Sequence, residues 1–327
     1  MSAIHDTNRK LWVDVLRSMA IILVVFGHEV QWWDEFFVYT SPIKIPLFFI
    51  ISGYLFNIKG GDTKKFFCGL WNKIIIPYVL LALISAIIAI PLSGISSFLP
   101  SCLSIASGKS YWFMPCLIVG ELLLFCIKKY SPNAFVGFII SVLLFAVGFF
   151  LVANNLLSFG MLNIALEIQI FLFIGTLFRQ WEPIFSKIPN KVAIAFPFMY
   201  VGLCYIGGVF NLTCNFDPHI GNYGFLPYTM MVVLFGNIML FTCANRIKKW
   251  PSSLVFIGQN TLVLYLWANW GKTVLFGIMR VIHLSKPEHS ILFACVCVVS
   301  SVVFCSLCSL FMNKYAPVLT GRKNIMI

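Results

Sequence analysis

Three ionisable side chains lie inside the first long apolar run of the chain, which reads WVDVLRSMAIILVVFGHE from residue 12 to residue 29 and ends on a fourth, Glu29. The first three are Asp14, Arg17 and His28. A charged side chain at the centre of a bilayer costs about 2.5–3.5 kcal/mol on insertion scales, so such residues are functional candidates. Eleven residues of helix make about three turns, which puts Arg17 and His28 on one face, about 16 Å apart along the axis.

These side chains offer complementary chemistry. The imidazole of His28 titrates near neutral pH, so it is a candidate general base. The guanidinium of Arg17 is a planar fork of donors that suits phosphate groups. Asp14 lies one turn before Arg17, at a spacing that allows an ion pair. Each residue alone also has an ordinary explanation, since Arg17 could snorkel to lipid headgroups and His28 could be an interfacial residue beside Glu29.

The composition predicts the elements that must hold these groups. Of the 327 residues, 60% are hydrophobic and 10% are charged, whereas soluble domains carry about 25% charged residues. The first apolar block is too long for the core of a cleavable signal peptide. We predict a single all-α transmembrane domain over 1–327, with no separate soluble domain. Its ten spans are expected at about 11–30, 43–58, 74–91, 111–127, 134–152, 161–178, 192–210, 225–243, 256–277 and 290–312.

The distribution of basic residues predicts the orientation. With the N-terminus inside, most Lys and Arg residues fall in cytoplasmic segments, as the positive-inside rule expects. Both chain ends are basic, so both termini are expected in the cytoplasm, which requires an even number of spans. Anionic lipid then explains the net charge of +12, and no nucleic-acid binding is expected.

The 11 cysteines do not form a disulfide framework. Cys305 and Cys308 lie in the last apolar block, where packing is a better explanation than a redox or metal site. Cys102 and Cys214 fall in predicted external loops, so a disulfide between them stays open. We expect no bound metal.

Several motifs resemble one family of membrane enzymes. Arg17 and His28 are similar to the R-x10-H signature of the acyltransferase type 3 family, whose members O-acylate sugars of cell-surface polysaccharides, and Asp14 fits the pattern too. Four later segments resemble that family in order: 48–53 (FFIISG), 73–78 (KIIIPY), 111–113 (YWF) and 257–265 (IGQNTLVLY). The chain departs from many relatives at Ala268, where they have a His three residues after the Tyr of the last segment.

The resemblance implies transfer of an acyl group from cytoplasmic acyl-CoA to a sugar hydroxyl outside the membrane. Acetyl-CoA is the expected donor, with succinyl as the alternative acyl group. His28 would act as the base, and Arg17 would bind the donor. Ser52 would stabilise the oxyanion, although Ser-Gly pairs in membrane helices commonly serve close packing. The polar head of the donor is expected near the cytoplasmic lysines between the second and third spans, namely Lys64, Lys65 and Lys73.

On the acceptor side, three residues are candidates for binding the saccharide: Trp112, Glu121 and Glu29. Trp112 could equally be an aromatic anchor at the membrane boundary. The polar residues of the sixth span, Glu167 and Gln169, are expected to line a cavity or to hydrogen-bond another helix. A solvated external loop is the expected setting of Asp217 and His219.

A second class of function stays open from the sequence, namely a transporter, flippase or polymerase of polysaccharide intermediates. Such proteins also have many spans and buried charges, but we find no inverted repeat or paired broken helices. We predict a multi-pass protein of the bacterial inner membrane. Its expected partners are acyl-CoA, a saccharide acceptor and membrane lipids, and a homo-oligomer is an open alternative.

Overall fold

The chain is almost entirely helical. The computed structural model describes residues 9–57, 63–154, 156, 159–212, 214–285, 287 and 289–324, and this part contains no strand beyond one isolated bridge between Asp217 and Asn222. The helices are α1 (Leu11–Glu29), α2 (Asp34–Leu55), α3 (Thr63–Leu70), α4 (Ile76–Ser93), α5 (Phe98–Ser107), α6 (Phe113–Tyr130), α7 (Ala134–Ala153), α8 (Leu162–Glu167), α9 (Gln169–Lys187), α10 (Asn190–Val209), α11 (Leu226–Ala244), α12 (Ser252–Gln259), α13 (Thr261–Val281) and α14 (Ile291–Tyr315).

The predicted multi-pass helical architecture is confirmed. Within the described residues, 9 helical segments are long and apolar enough to cross a membrane. The helix α6 has 18 residues and would make the tenth span. It carries Glu121, Lys128 and Lys129, so its composition alone does not mark it as a span.

Several spans differ from the sequence prediction, and the sixth reaches Lys187 rather than 178. The second span begins at Asp34 rather than at 43, because α2 continues through Pro42 and Pro46. Proline has no backbone N–H, so Pro42 cannot donate to the carbonyl of Val38. That carbonyl accepts instead from the thiol of Cys214, 3.4 Å away. The third span is longer than predicted, since a π-helical turn joins α3 directly to α4. In the ninth span, α13 runs through Lys272 without interruption.

The centre of the bundle is built on close helix crossings at glycine. A Cβ atom on Gly53 of α2 would overlap the carbonyl oxygen of Leu172 in α9, and one on Gly258 of α12 would overlap the carbonyl oxygen of Asp14 in α1. Only glycine permits backbones to approach this closely. The two crossings therefore hold α1 and α2 in place against α12 and α9.

The two ends of the described chain meet on one side of the bundle. Gly321, at φ +67°, lies against the backbone of Lys73, and the charge of Arg9 acts on Arg322. We call this side the inner end and the opposite side the outer end. Because α1 starts at the inner end, Arg17 lies nearer to it and His28 lies at the outer end.

The segment between α10 and α11, residues 210–225, is not the solvated loop that the sequence suggested. It folds back onto the outer part of α2, where the hydroxyl of Ser41 donates to the carbonyl of Phe216 and accepts from its N–H, both at 3.1 Å. We call this segment the outer loop. Its Asp217 is half-buried, while His219 is exposed.

The cysteines all lie in the described part of the chain, and all 11 are free thiols. A disulfide between Cys102 and Cys214 is not formed. Cys102 belongs to α5, whereas the buried Cys214 contacts α2 and hydrogen-bonds with the thiol of Cys204. Cys305 is fully buried in α14, as expected of a packing residue.

Candidate active site along the first helix

The helix α1 carries both reactive groups of the sequence prediction. It is continuous from Leu11 to Glu29, so Arg17 and His28 are separated by three unbroken turns, about 16 Å along the axis. Arg17 is half-buried within the helical bundle, whereas His28 is exposed on its surface. The two groups therefore lie at different depths of the helical bundle.

Asp14 forms an ion pair, but its partner is not the one that we predicted. Its carboxylate accepts two hydrogen bonds from Arg9, at 2.7 Å and 2.9 Å, and a longer one of 3.4 Å from Gln259. Asp14 is only 3% exposed. Arg9 donates through Nε and Nη2, so its guanidinium meets the two carboxylate oxygens side-on in a bidentate pair.

Arg17 is consequently available to a ligand. Within the described residues its guanidinium has no salt bridge and no hydrogen bond, although the charges of Asp14, Arg9 and Glu121 act on it at longer range. Glu121 was predicted to bind the acceptor. Its interaction with Arg17 associates it with the inner half of α1 instead.

A cluster of charged groups surrounds His28. The charges of Lys44, Lys272, Glu29 and Asp217 all act on its imidazole. We call these five residues the outer cluster. Lys272 of α13 donates to the carboxylate of Glu29 over 2.8 Å, so that pair is neutralised by contact. Glu29, predicted to bind the acceptor, is therefore a salt-bridge partner beside the base.

Three members of the outer cluster were missed by sequence reasoning. Sequence reasoning assigned no site role to Lys44 or Lys272, and it placed Asp217 in a solvated loop. Lys44 lies between Pro42 and Pro46, which indicate a loop when read locally. The sequence held a signal for Lys272, because this residue follows Tyr265 of the late segment by two helical turns along α13.

Aromatic rings border the site on the outer side. Trp112, at the start of α6, stacks on His219 of the outer loop, with centroids 5.2 Å apart and planes within 6°. The next residue, Phe113, stacks on Phe49 of α2 and donates its backbone N–H to the hydroxyl of Tyr265. The YWF and late-helix segments are thus brought together, and Trp112 joins them to the outer loop through His219.

Ser52 lies at a different depth from His28. Two residues further along α2, the ring of Tyr54 packs against Trp12 at the inner end of α1, with centroids 5.4 Å apart. The side chain of Lys44 reaches Gly27, the residue before His28. Lys44 precedes Ser52 by eight residues, about 12 Å along α2. The structure does not bring Ser52 to the imidazole.

The lysines predicted to bind the donor head lie on the surface. Lys64, Lys65 and Lys73 are exposed, and none is paired with Arg17. Thr63, at the start of α3, accepts a hydrogen bond of 3.5 Å from Lys129 of α6. The next two residues, Lys64 and Lys65, therefore lie close to the end of α6. A cavity of about 640 Å³ opens there. It is lined by Phe56, Asn57, Lys128, Lys129, Thr176, Arg179 and Gln180.

The polar residues of the sixth span serve helix contacts. Glu167 is fully buried and accepts a hydrogen bond of 2.7 Å from Tyr223 of the outer loop. Burial and the neighbouring carboxylate of Glu167 raise the pKa of Tyr223, so its hydroxyl remains a donor. Gln169 donates to the carbonyl of Gly120 over 2.9 Å. In the described residues no group of three or more His, Cys, Asp and Glu side chains could hold a metal ion.

Comparison with known proteins gives one finding. The family model described as an acyltransferase domain matches residues 10–310. No curated protein and no solved structure shows a significant match. The matched region begins just before α1 and ends within α14, so it includes the inner half of α1, the outer cluster and the outer loop.

Proposed function

The chain belongs to the acyltransferase type 3 family and is a multi-pass membrane acyltransferase, and we propose that it moves an acetyl group from cytoplasmic acetyl-CoA to a sugar hydroxyl at the outer surface of the bacterial inner membrane. The observation that carries this proposal is the arrangement along α1. Arg17 is unpaired toward the inner end, and His28 lies among charged groups at the outer end, about 16 Å away.

The inner side has the features that an anionic donor requires. Arg17 has no competing salt bridge, so a phosphate or the pantetheine amide of the donor can accept its hydrogen bonds. The cavity near the end of α6 offers Lys128, Lys129 and Arg179 for further phosphate contacts. We propose this cavity, together with the neighbouring Lys64 and Lys65, as the site of the nucleotide head. Lys73 is then a secondary contact.

The outer side has the features that the acceptor requires. His28 can take the proton of the attacking hydroxyl as the new C–O bond forms. The thioester C–S bond breaks, and the proton passes from the imidazolium to the departing CoA sulfur. The stacked pair of Trp112 and His219 offers a flat surface for a sugar ring. Glu29 and Lys272 flank this site as a neutralised pair.

The test is a transfer assay on the full-length protein in membrane vesicles from its host, which contain the native acceptor. Vesicles receive isotopically labelled acetyl-CoA, and surface polysaccharide is analysed by mass spectrometry. Wild-type protein is expected to add a labelled acetyl mass to the glycan. His28→Ala should lower the rate by about 100-fold or more, the usual contribution of a general base.

The matched control is Met19→Ala, which changes an exposed residue of the same helix and should leave the rate unchanged. Full transfer by His28→Ala at equal protein level would disprove the assignment of the base. A succinyl mass on the native glycan would replace acetyl by the alternative acyl group. Arg17→Met is expected to raise the KM for acetyl-CoA more than it lowers kcat.

A further inference from the structure

Lys44 is a buried cation beside the proposed base. It is 7% exposed. Its Nζ lies over the ring of Phe37, 4.3 Å from the centroid. Among the described residues it has no hydrogen bond and no salt bridge. An ammonium ion in such surroundings is costly unless an anion accompanies it.

The residue next to His28 makes room for this ammonium. A Cβ atom on Gly27 would lie 3.3 Å from Nζ of Lys44 and 3.5 Å from the rings of Phe36 and Phe37. Nearly any side chain at position 27 would therefore push the ammonium away. The face of Phe37 holds the cation without neutralising it. Gly27 and Phe37 together keep a positive charge next to the imidazole.

The charges around His28 distinguish Lys44 from Lys272, the other cation of the outer cluster. The cations that act on His28 are Lys44 and Lys272. Lys272 is neutralised by Glu29 at 2.8 Å. Asp217 acts on Lys44 at longer range, without forming a salt bridge. Lys44 thus keeps a charge that a ligand can use.

We propose that Lys44 is a further catalytic residue, whose ammonium stabilises the negative charge that develops on the thioester carbonyl oxygen during transfer. This inference rests on the proposed function, because that reaction creates the charge beside His28. Preorganised cations and dipoles in dry surroundings are usually the largest single contribution to such catalysis. Ser52, the oxyanion candidate from the sequence, lies about 12 Å further along α2.

The step balances without a further reactant. The sugar hydroxyl attacks the carbonyl carbon, its proton goes to His28, and the carbonyl electron pair becomes an oxyanion that accepts from Lys44. The C=O bond then re-forms, the C–S bond breaks, and the imidazolium proton passes to the sulfur. Lys44 keeps its own proton throughout.

The test compares Lys44→Met and Lys44→Arg in the vesicle assay with labelled acetyl-CoA. Met keeps the length of the side chain and removes a buried charge, so the protein should still fold. We expect Lys44→Met to lower kcat by about 100-fold or more, with the KM for acetyl-CoA within about 3-fold of wild type. Lys44→Arg should restore a substantial part of the rate. Lys109→Met, at an exposed lysine outside the cluster, is the control.

The outcomes separate this inference from its premise. If wild type transfers label and His28→Ala does not, but Lys44→Met is fully active, the role of Lys44 is wrong and the proposed function stands. A loss that appears only as a higher KM would also overturn it, because it would indicate ground-state binding. Equal loss in Lys44→Arg and Lys44→Met would refute a role of the charge. A wild type without transfer would refute both proposals.

A second variant leaves Lys44 in place and displaces its charge. Gly27→Ala puts a methyl group 3.3 Å from Nζ, so the ammonium must shift by a few tenths of an ångström. We expect about a 10-fold lower kcat with unchanged KM, smaller than the loss in Lys44→Met because the charge is moved rather than removed. Gly208→Ala, with no atom within 4 Å of its new Cβ, is the matched control. An unchanged kcat in Gly27→Ala would contradict the inference.

Discussion

The two halves of α1 differ in how their charges are compensated. In the inner half, residues Trp12 to Leu16 are all buried, and Asp14 is held by Arg9 and Gln259. In the outer half, His28 is exposed, and of its two neighbouring lysines only Lys272 contacts a carboxylate, that of Glu29. Rigid packing thus anchors one end of the helix, and uncompensated charge collects at the other. Under the proposed function, the anchor positions Arg17 and the charged end supplies the chemistry.

The strongest way to break the anchor is at the crossing of α1 and α12. In Gly258→Ala the new Cβ would overlap the carbonyl oxygen of Asp14, so backbone must move. We expect a loss of stability at or above the upper end of the roughly 1–3 kcal/mol that overpacking costs. The measurement is thermal unfolding of the purified protein in detergent.

The control for this substitution is Gly202→Ala in α10, where the new Cβ meets nothing within 4 Å. It should be neutral or slightly stabilising, because Ala favours helix over Gly. Equal stability of Gly258→Ala and Gly202→Ala would show that the crossing is looser than the structure indicates. The inner half of α1 would then not be a rigid anchor.

A double-mutant cycle tests the charge compensation of the inner half. Asp14→Asn combined with Arg9→Met should show a coupling energy of about 1–3 kcal/mol in stability, since a bidentate pair to a buried carboxylate is lost. The same cycle with Arg17→Met should show much less coupling, because no salt bridge joins Asp14 to Arg17. Stronger coupling of Asp14 to Arg17 would support the ion pair expected from the sequence. Arg17 would then not be free to bind the acyl donor.

This choice of partner also shows where sequence reasoning stops. The helix containing Arg17 and His28, the multi-pass architecture and the family were all predictable, because hydrophobic runs and short motifs are local signals. The partner of Asp14 was not, since Arg9 and Arg17 are both within reach of it in sequence. Only the packing of the segment before α1 decides between them.

The outer cluster was harder to predict for a different reason. The second span was expected to begin only after Pro42, but the thiol of Cys214 replaces one lost backbone donor to α2. The outer loop docks through a contact between Ser41 and Phe216, which are 175 residues apart. Contacts of this separation leave no trace in local periodicity. Lys44 and Asp217 could therefore be located only in the folded chain.

The smallest expected effect concerns the neutralised pair of the outer half. Glu29 and Lys272 are 12% and 25% exposed and form one hydrogen bond. Their coupling energy in a Glu29→Gln and Lys272→Met cycle should be about 0.2–1 kcal/mol, as for other partly exposed pairs. Glu29→Gln should also leave kcat within a few-fold of wild type, in contrast to Lys44→Met. If Lys272→Met lowered kcat as strongly as Lys44→Met, the pair would not be neutral toward the reaction, and the outer cluster would have two catalytic cations instead of one.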